Sequence, residues 1–410
     1  MSDILLRKIT EKAVIIIPVE DGKQIDEQEI CDLTQSADAE VVAVFYAPIR
    51  IVTPSTYIGS GKAQEFKERI EEMGNVDIAI FDGELSPSQT LNLSDALGSI
   101  PLVDRTTLIL DIFAKNAVSG EGKLQVELAQ LRYLYPRLKG KGSALSRLGG
   151  GIGTRGPGET KLETDRRHIR TRILYLESRL KDLETSRALQ RSRRKKNDFK
   201  TVALVGYTNV GKSTLMNALT DAGVLVKNQL FATLDPTVKK LRLPSQSVAL
   251  IDTVGFVKNI PHHLIKAFRS TLESALEADL PIIVLDASSP QWQSQLETTQ
   301  TTLKELGCLK EQLIVFNKSD LIQDFSDFPT KSLFISASKH IGLDKLLQVV
   351  DQMLSDDVHD VVLHVPFDQL GDFQKLYEYV TILNSELKEN ETEYHCKIRS
   401  KYLSKFKMFL

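Results

Sequence analysis

The chain has 410 residues, with 52 Lys and Arg against 54 Asp and Glu, and 42% of it is hydrophobic. That composition excludes disordered, collagenous and disulfide-stapled classes, and the length calls for roughly two to four domains. No apolar run is long enough to cross a bilayer, the start lacks the basic flank and apolar stretch of a signal peptide, and Cys31, Cys308 and Cys396 have no metal-ligand spacing, so a reducing cytoplasm is expected.

Residues 1–110 alternate strand and helix patterns: strands at 14–18, 41–46, 76–81 and 101–103, helices at 27–37, 63–73 and 88–97. This alternation predicts a small α/β domain over 1–120 with a mostly parallel sheet. Gly59-Ser60-Gly61-Lys62 imitates a phosphate loop, but Thr56 stands where its first glycine belongs and no apolar strand leads into it.

A helical pair follows over 121–198. Leu124, Leu128, Leu131, Tyr135 and Leu138 repeat at spacings of 4 and 3, and so do Ile169, Ile173, Leu176, Leu180 and Leu183. Each narrow stripe needs a partner to bury it, which predicts an antiparallel hairpin. Between the seams, residues 140–158 hold eight glycines with Lys141, Arg147 and Arg155, and Lys161 lies just beyond. A basic loop at the tip of a rigid hairpin suits phosphate and base contacts in folded RNA, with Arg147, Gly151, Arg155 and Lys161 as candidates; a plain linker is the alternative. Residues 121–200 carry 21 Lys and Arg against 9 Asp and Glu in a chain of net charge −2, which points to a polyanionic partner or to a solvated helical face. Six of these cations fall in 191–200, as an RNA contact or an interdomain linker.

From 199 to 356 the pattern is that of a P-loop domain with a mostly parallel sheet. A short run rich in β-branched residues, 201–205, leads into Gly206-Tyr207-Thr208-Asn209-Val210-Gly211-Lys212-Ser213, with Thr214 behind, and an amphipathic helix follows. Glycine-bounded backbone N–H groups and a helix N-terminus cradle phosphates; Lys212 reaches the β- and γ-phosphates and Ser213 takes Mg²⁺. Phe231-Ala232-Thr233-Leu234-Asp235 lies at the distance of a first switch, with Thr233 as the magnesium- and γ-phosphate-sensing threonine and Thr237 the other candidate. Asp252-Thr253-Val254-Gly255 ends a strand: Asp252 holds magnesium through water and the Gly255 N–H senses the γ-phosphate. Asn317-Lys318-Ser319-Asp320 selects the base, because the Asp320 carboxylate accepts from guanine N1–H and the 2-amino group, neither of which adenine offers. Ser336-Ala337-Ser338 closes over guanine O6. The substrate is therefore read as GTP, with Lys212, Thr233 and Gly255 as the catalytic set. Phe256 occupies the position of the water-orienting glutamine of Ras-like proteins, so another group or a partner must place the water and intrinsic hydrolysis is expected to be slow. Asn209 stands where certain GTPases bind K⁺.

Residues 357–410 predict a small α+β appendage: a strand at 361–366, a helix at 373–387 and a strand at 394–399. His262, His263 and Trp292 read as ordinary surface or core residues.

The chain resembles the HflX family of translational GTPases. The resemblance rests on Gly149-Gly150-Gly151-Ile152-Gly153-Thr154-Arg155-Gly156-Pro157-Gly158-Glu159-Thr160, continuing through Leu162-Glu163-Thr164-Asp165-Arg166-Arg167, and on Asp82-Gly83-Glu84-Leu85-Ser86-Pro87 and Asp104-Arg105-Thr106. It covers roughly residues 10–365; Lys161 replaces a common glutamine, and the C-terminal segment matches least. The resemblance implies a factor that binds the large ribosomal subunit and its rRNA and splits stalled or idle ribosomes under stress; the chain is expected to be a monomer. It also implies that ribosome binding stimulates the GTPase, that the glycine-rich loop reaches toward the peptidyl-transferase region, and that Phe256 is a family trait. Two other readings stand beside it: a nucleotide-driven RNA-remodelling protein and a non-catalytic ribosome-assembly switch.

Overall fold

The computed structural model describes residues 10–20, 22, 25–146, 161–196, 200–220, 231, 237–257, 276–329, 332–355, 358–388 and 390–410. The chain divides into two compact units, Met1–Leu241 with Val248–Ile341, and Arg242–Ser247 with Gly342–Leu410.

The first sheet is built from β1 (Glu11–Glu20), β2 (Ala39–Ile49), β3 (Ile78–Phe81) and β4 (Leu102–Asp104), all parallel in the order β2-β1-β3-β4. In β1, Ala13, Ile15 and Ile17 enter one core and Val14 and Ile16 another, so the strand is apolar on both sides, as a sheet covered by helices on both faces requires. Those helices are α1 (Glu27–Ser36), α2 (Ser60–Met73), α3 (Pro87–Ala96) and α4 (Arg105–Asn116). Local chemistry sets their starts. Ser86 and Gln89 form a reciprocal capping box ahead of Pro87, and the Asp104 carboxylate accepts from the Thr107 N–H at 2.9 Å. The expectations for this region omitted α4. Lys62 of the imitation phosphate loop lies in the first turn of α2 and pairs with Glu65 at 2.7 Å.

Two long helices, α5 (Gly120–Ser146) and α6 (Lys161–Lys196), pack antiparallel: Arg166 lies over the Tyr135 ring, while Arg172 donates to Glu127, so positions rise on one helix as they fall on the other. Leu128 and Leu176 of the expected seams are buried. The base of α5 is locked to the first sheet. The Tyr133 hydroxyl donates to the buried Asp104 carboxylate, and Arg137 stacks on the Tyr133 ring and donates to the Leu85 carbonyl at 2.6 Å. Burial, and then Asp104, hold the Tyr133 hydroxyl far above its ordinary pKa, so it remains a donor.

The second sheet has the order β10-β9-β8-β5-β7-β6, from β5 (Thr201–Val205), β6 (Thr237–Arg242), β7 (Ser247–Asp252), β8 (Leu280–Asp286), β9 (Leu313–Asn317) and β10 (Leu333–Phe334). The run from β10 to β7 is parallel. Helix α7 (Lys212–Leu219) follows β5 directly. Trp292, at the start of α8 (Trp292–Glu305), joins an aromatic cluster with Phe316 and Phe328, each at 5.2 Å.

In the second unit, α9 (Leu343–Leu354) precedes an antiparallel sheet of order β11-β13-β12, formed by β11 (Val358–Pro366), β12 (Val380–Leu387) and β13 (Glu391–Arg399). Here one expectation is corrected. The helix expected over 373–387 is a short turn, α10 (Leu370–Gln374), followed by β12. Pairing along β13 overrides the helical spacing, and Val380, Thr381 and Ile382 suit a strand. Phe373, Phe406 and Phe409 fill the core of this unit. No helix among the described residues is long and apolar enough to cross a membrane.

Candidate active site

Strand β5 lies between β7 and β8 with Val202–Val205 fully buried, and the loop it launches turns on two left-handed glycines. Gly206 has φ 149°, and a Cβ there would stand 2.2 Å from the Val284 carbonyl oxygen; Gly211 has φ 90°, and a Cβ there would stand 2.4 Å from Asn317 Nδ2. No other side chain fits at either point.

Lys212 begins α7 almost completely buried, its Nζ donating to the carbonyls of Gly206 at 3.1 Å and Tyr207 at 2.7 Å. Burial pulls its pKa from 10.5 down to about 8, against the opposing pull of Asp252. Ser213 Oγ donates to Asp252 Oδ2 at 2.6 Å, bringing together a hydroxyl and a carboxylate from the two elements expected to share a cation. Hard oxygens of this kind match Mg²⁺. Thr253 Oγ1 donates to the Leu204 carbonyl at 2.7 Å, which stitches β7 to β5.

The segment after Asp252 is fastened to the phosphate-type loop through its backbone. Thr208 N–H donates to the Phe256 carbonyl at 2.8 Å, and Phe256 N–H donates to the Gly206 carbonyl at 3.0 Å. Phe256 itself is 2% exposed. Asn317 bridges the two ends of the site: Nδ2 donates to the Val210 carbonyl at 2.8 Å, and Oδ1 accepts from the Ala337 N–H at 2.9 Å. Ser336 Oγ accepts from the Lys339 N–H and lies 3.3 Å from Ser338 Oγ. The candidates from Gly206 to Thr214, from Asp252 to Gly255, and at Asn317, Lys318, Asp320 and Ser336–Ser338 thus stand at strand ends, in the turns that follow them and in the first turn of α7, with Asp320 and Asn209 exposed. Ala232, Thr233, Leu234 and Asp235, the hairpin-tip residues Arg147, Gly151 and Arg155, and His262 and His263 lie outside the described residues, as does the Lys161 side chain.

Three features escaped the sequence reading. Asp286, at the end of β8, holds Lys318 Nζ at 2.6 Å and also accepts from the Ser288 N–H and hydroxyl. An acid at the C-terminal end of a parallel strand beside the base-selecting strand was the signal available. A cavity of about 320 Å³ runs along Tyr207–Val210 and is also lined by Asp26, which caps the start of α1, and by Glu29 and Asp32 of α1. Phe231, in left-handed backbone at φ 57°, packs its ring on Phe113 of α4. The last two join segments about a hundred residues or more apart, and no local pattern encodes them.

Three family descriptions match successive parts of the chain: "GTP-binding GTPase N-terminal" over 24–114, "GTP-binding GTPase Middle Region" over 116–194 and "50S ribosome-binding GTPase" over 201–318. Among curated proteins, GTPase HflX of Caldanaerobacter subterraneus subsp. tengcongensis is 45% identical over 97% of this chain and 94% of its own length. GTPase HflX of Escherichia coli is 39% identical over 95% of this chain and 93% of its own. Among solved structures, a GTP-binding protein from Sulfolobus solfataricus in complex with GDP is 24% identical, covering 84% of this chain and 98% of that one with a TM-score of 0.46.

Proposed function

The chain belongs to the HflX family of GTPases, and from that membership we propose that it binds the large ribosomal subunit in its GTP state and separates stalled or idle ribosomes, hydrolysis releasing it. It is a GTP hydrolase of a ribosome-binding family. The observation that carries the site assignment is the convergence of Lys212, Ser213 and Asp252 beneath one loop, with Asn317 tying that loop to Ala337.

In this reading the Lys212 ammonium exchanges the Gly206 and Tyr207 carbonyls for phosphate oxygens. Ser213, Thr233 and Asp252 hold Mg²⁺, which when bound draws charge from the phosphoryl oxygens. Thr233 and the Gly255 N–H sense the γ-phosphate, while Asn317, Lys318, Asp320 and Ser336–Ser338 read guanine. Phe256 is bound into the loop by its backbone and buried by its ring, so it contributes no donor or acceptor to the attacking water. That water is placed by another group, and ribosome binding is the natural source of the acceleration. Asn209, exposed at the lip of the loop, is the residue for K⁺. The hairpin carries Arg147, Gly151, Arg155 and Lys161 to rRNA.

The test is GTP turnover in potassium buffer with and without purified large subunits, beside a variant lacking residues 151–155, with subunit separation followed by light scattering. Stimulation and splitting that are both lost in the deletion support the reading. Normal GTP binding with no stimulation, or a preference for immature particles, overturns ribosome splitting as the function. Turnover equal in sodium and potassium removes the role given to Asn209.

A further inference from the structure

One apolar core reaches both segments that flank the γ-phosphate sensors. Phe231, two positions before Thr233, and Val254 and Val257, on either side of Gly255, share that core with residues of α4 and α5, among them Phe113 and Tyr133. The contact to Phe231 is specific. Its ring meets Phe113 edge-on with centroids 4.4 Å apart, and its backbone carbonyl accepts from Asn116 Nδ2 at 3.0 Å. Phe231 is 2% exposed with φ 57°, a conformation that a bulky residue keeps only where its surroundings impose it.

We infer that Phe113 and Asn116 are positioning residues for GTP turnover: the N-terminal α/β region holds Phe231, Val254 and Val257, which lie within two positions of the γ-phosphate sensors. This rests on the reading of Thr233 and Gly255 given above. The side-chain amide orients the Phe231 carbonyl without restricting which side chain follows, and the ring pair seats the Phe231 side chain beside it. Tyr133 belongs to the same core and is bonded to Asp104, so α5, and with it the hairpin arm, is joined to the switch flanks through packed side chains. An event at the arm therefore has a material route to the phosphate sensors. Because GDP lacks the γ-phosphate, the anchor bears on GTP-state geometry and leaves GDP binding alone.

The experiment compares the full chain with Asn116→Ala, Phe113→Leu and Phe113→Ala. Expected for Asn116→Ala is a GDP Kd within about twofold of the parent, with kcat for GTP and affinity for a non-hydrolysable GTP analogue both reduced about 3- to 10-fold. Phe113→Leu, which keeps apolar volume, should sit between the parent and Phe113→Ala. Equal losses of GDP and analogue affinity, or unchanged kcat and analogue affinity in a folded Asn116→Ala, overturn the inference. Should Phe113→Ala fail to fold, Asn116→Ala and Phe113→Leu still decide it. A parent chain that turns over no GTP would instead overturn the site assignment, so the two failures are distinguishable.

Discussion

In the free chain the Lys212 ammonium is buried against two carbonyls and its pKa falls to about 8, whereas nucleotide phosphates would return it toward the ordinary 10.5. The complex then holds a proton that the free protein has partly lost, so binding takes up protons and affinity falls as pH climbs through 8. With these two values, Lys212 is about nine-tenths protonated at pH 7 and about one-quarter at pH 8.5 in the free chain, so GDP binding takes up about 0.1 and about 0.75 proton respectively. The Kd rises about fourfold across that interval, close to 0.8 kcal/mol. Calorimetry in two buffers of different ionisation heat counts the protons directly, and pH 8.5 lies below the titration of guanine N1–H. Flat affinity with no uptake at pH 8.5 would refute the burial argument. For folding the sign is the reverse. The unfolded chain binds the Lys212 proton more tightly, so the free fold gains stability from this group as pH rises from about 8 toward 10.5, and buried charge is what it loses.

Asp286→Asn removes the anion that holds Lys318, and GDP and GTP affinities should fall together about 3- to 10-fold with kcat at saturation unchanged, measured by stopped-flow fluorescence and turnover. A fall in kcat alone would show that Asp286 serves the chemistry. Gly206→Ala drives a methyl into the Val284 carbonyl of the neighbouring strand; overpacking of this kind costs about 1–3 kcal/mol, so a lowered Tm with no detectable GDP binding is expected. Leu176→Ala empties the middle of the hairpin seam, where the side chain is fully buried, and should cost about 2–5 kcal/mol in denaturant unfolding while GDP affinity stays at the parent value.

The elements legible in the sequence are those whose logic is local. The strand–loop–helix from Thr201 to Leu219 announces itself by two glycines, a lysine and the apolar run before them, and the hairpin by spacing alone. Asn317 could be identified from its motif, although its two-ended bridge from Val210 to Ala337 depends on strands more than a hundred residues apart. Helix α4 went unread because seven of its residues are buried and its apolar stripe is too wide for a surface-helix pattern. Strand β12 was misread because its apolar residues happen to repeat near helical spacing, while the hydrogen bonds that make it a strand come from β13. Phe231 marks the limit most clearly. Its motif was visible, but its partners Phe113 and Asn116 carry no sign of it.

The position of β5 between β7 and β8 imposes an order on the birth of the protein. The strand that launches the phosphate loop has no neighbour on one side until residue 247 exists and none on the other until residue 280. At a synthesis rate of about 5–20 residues per second, the loop therefore waits roughly 4–16 s between its own appearance and the end of β8. The first sheet is complete at residue 104, and α4 follows at once, so Phe113 and Asn116 are available while the switch flanks have yet to be made. The half translated first thus has its anchoring residues in place before the segments they hold exist, whereas the phosphate loop gains both of its neighbouring strands only once β8 is complete.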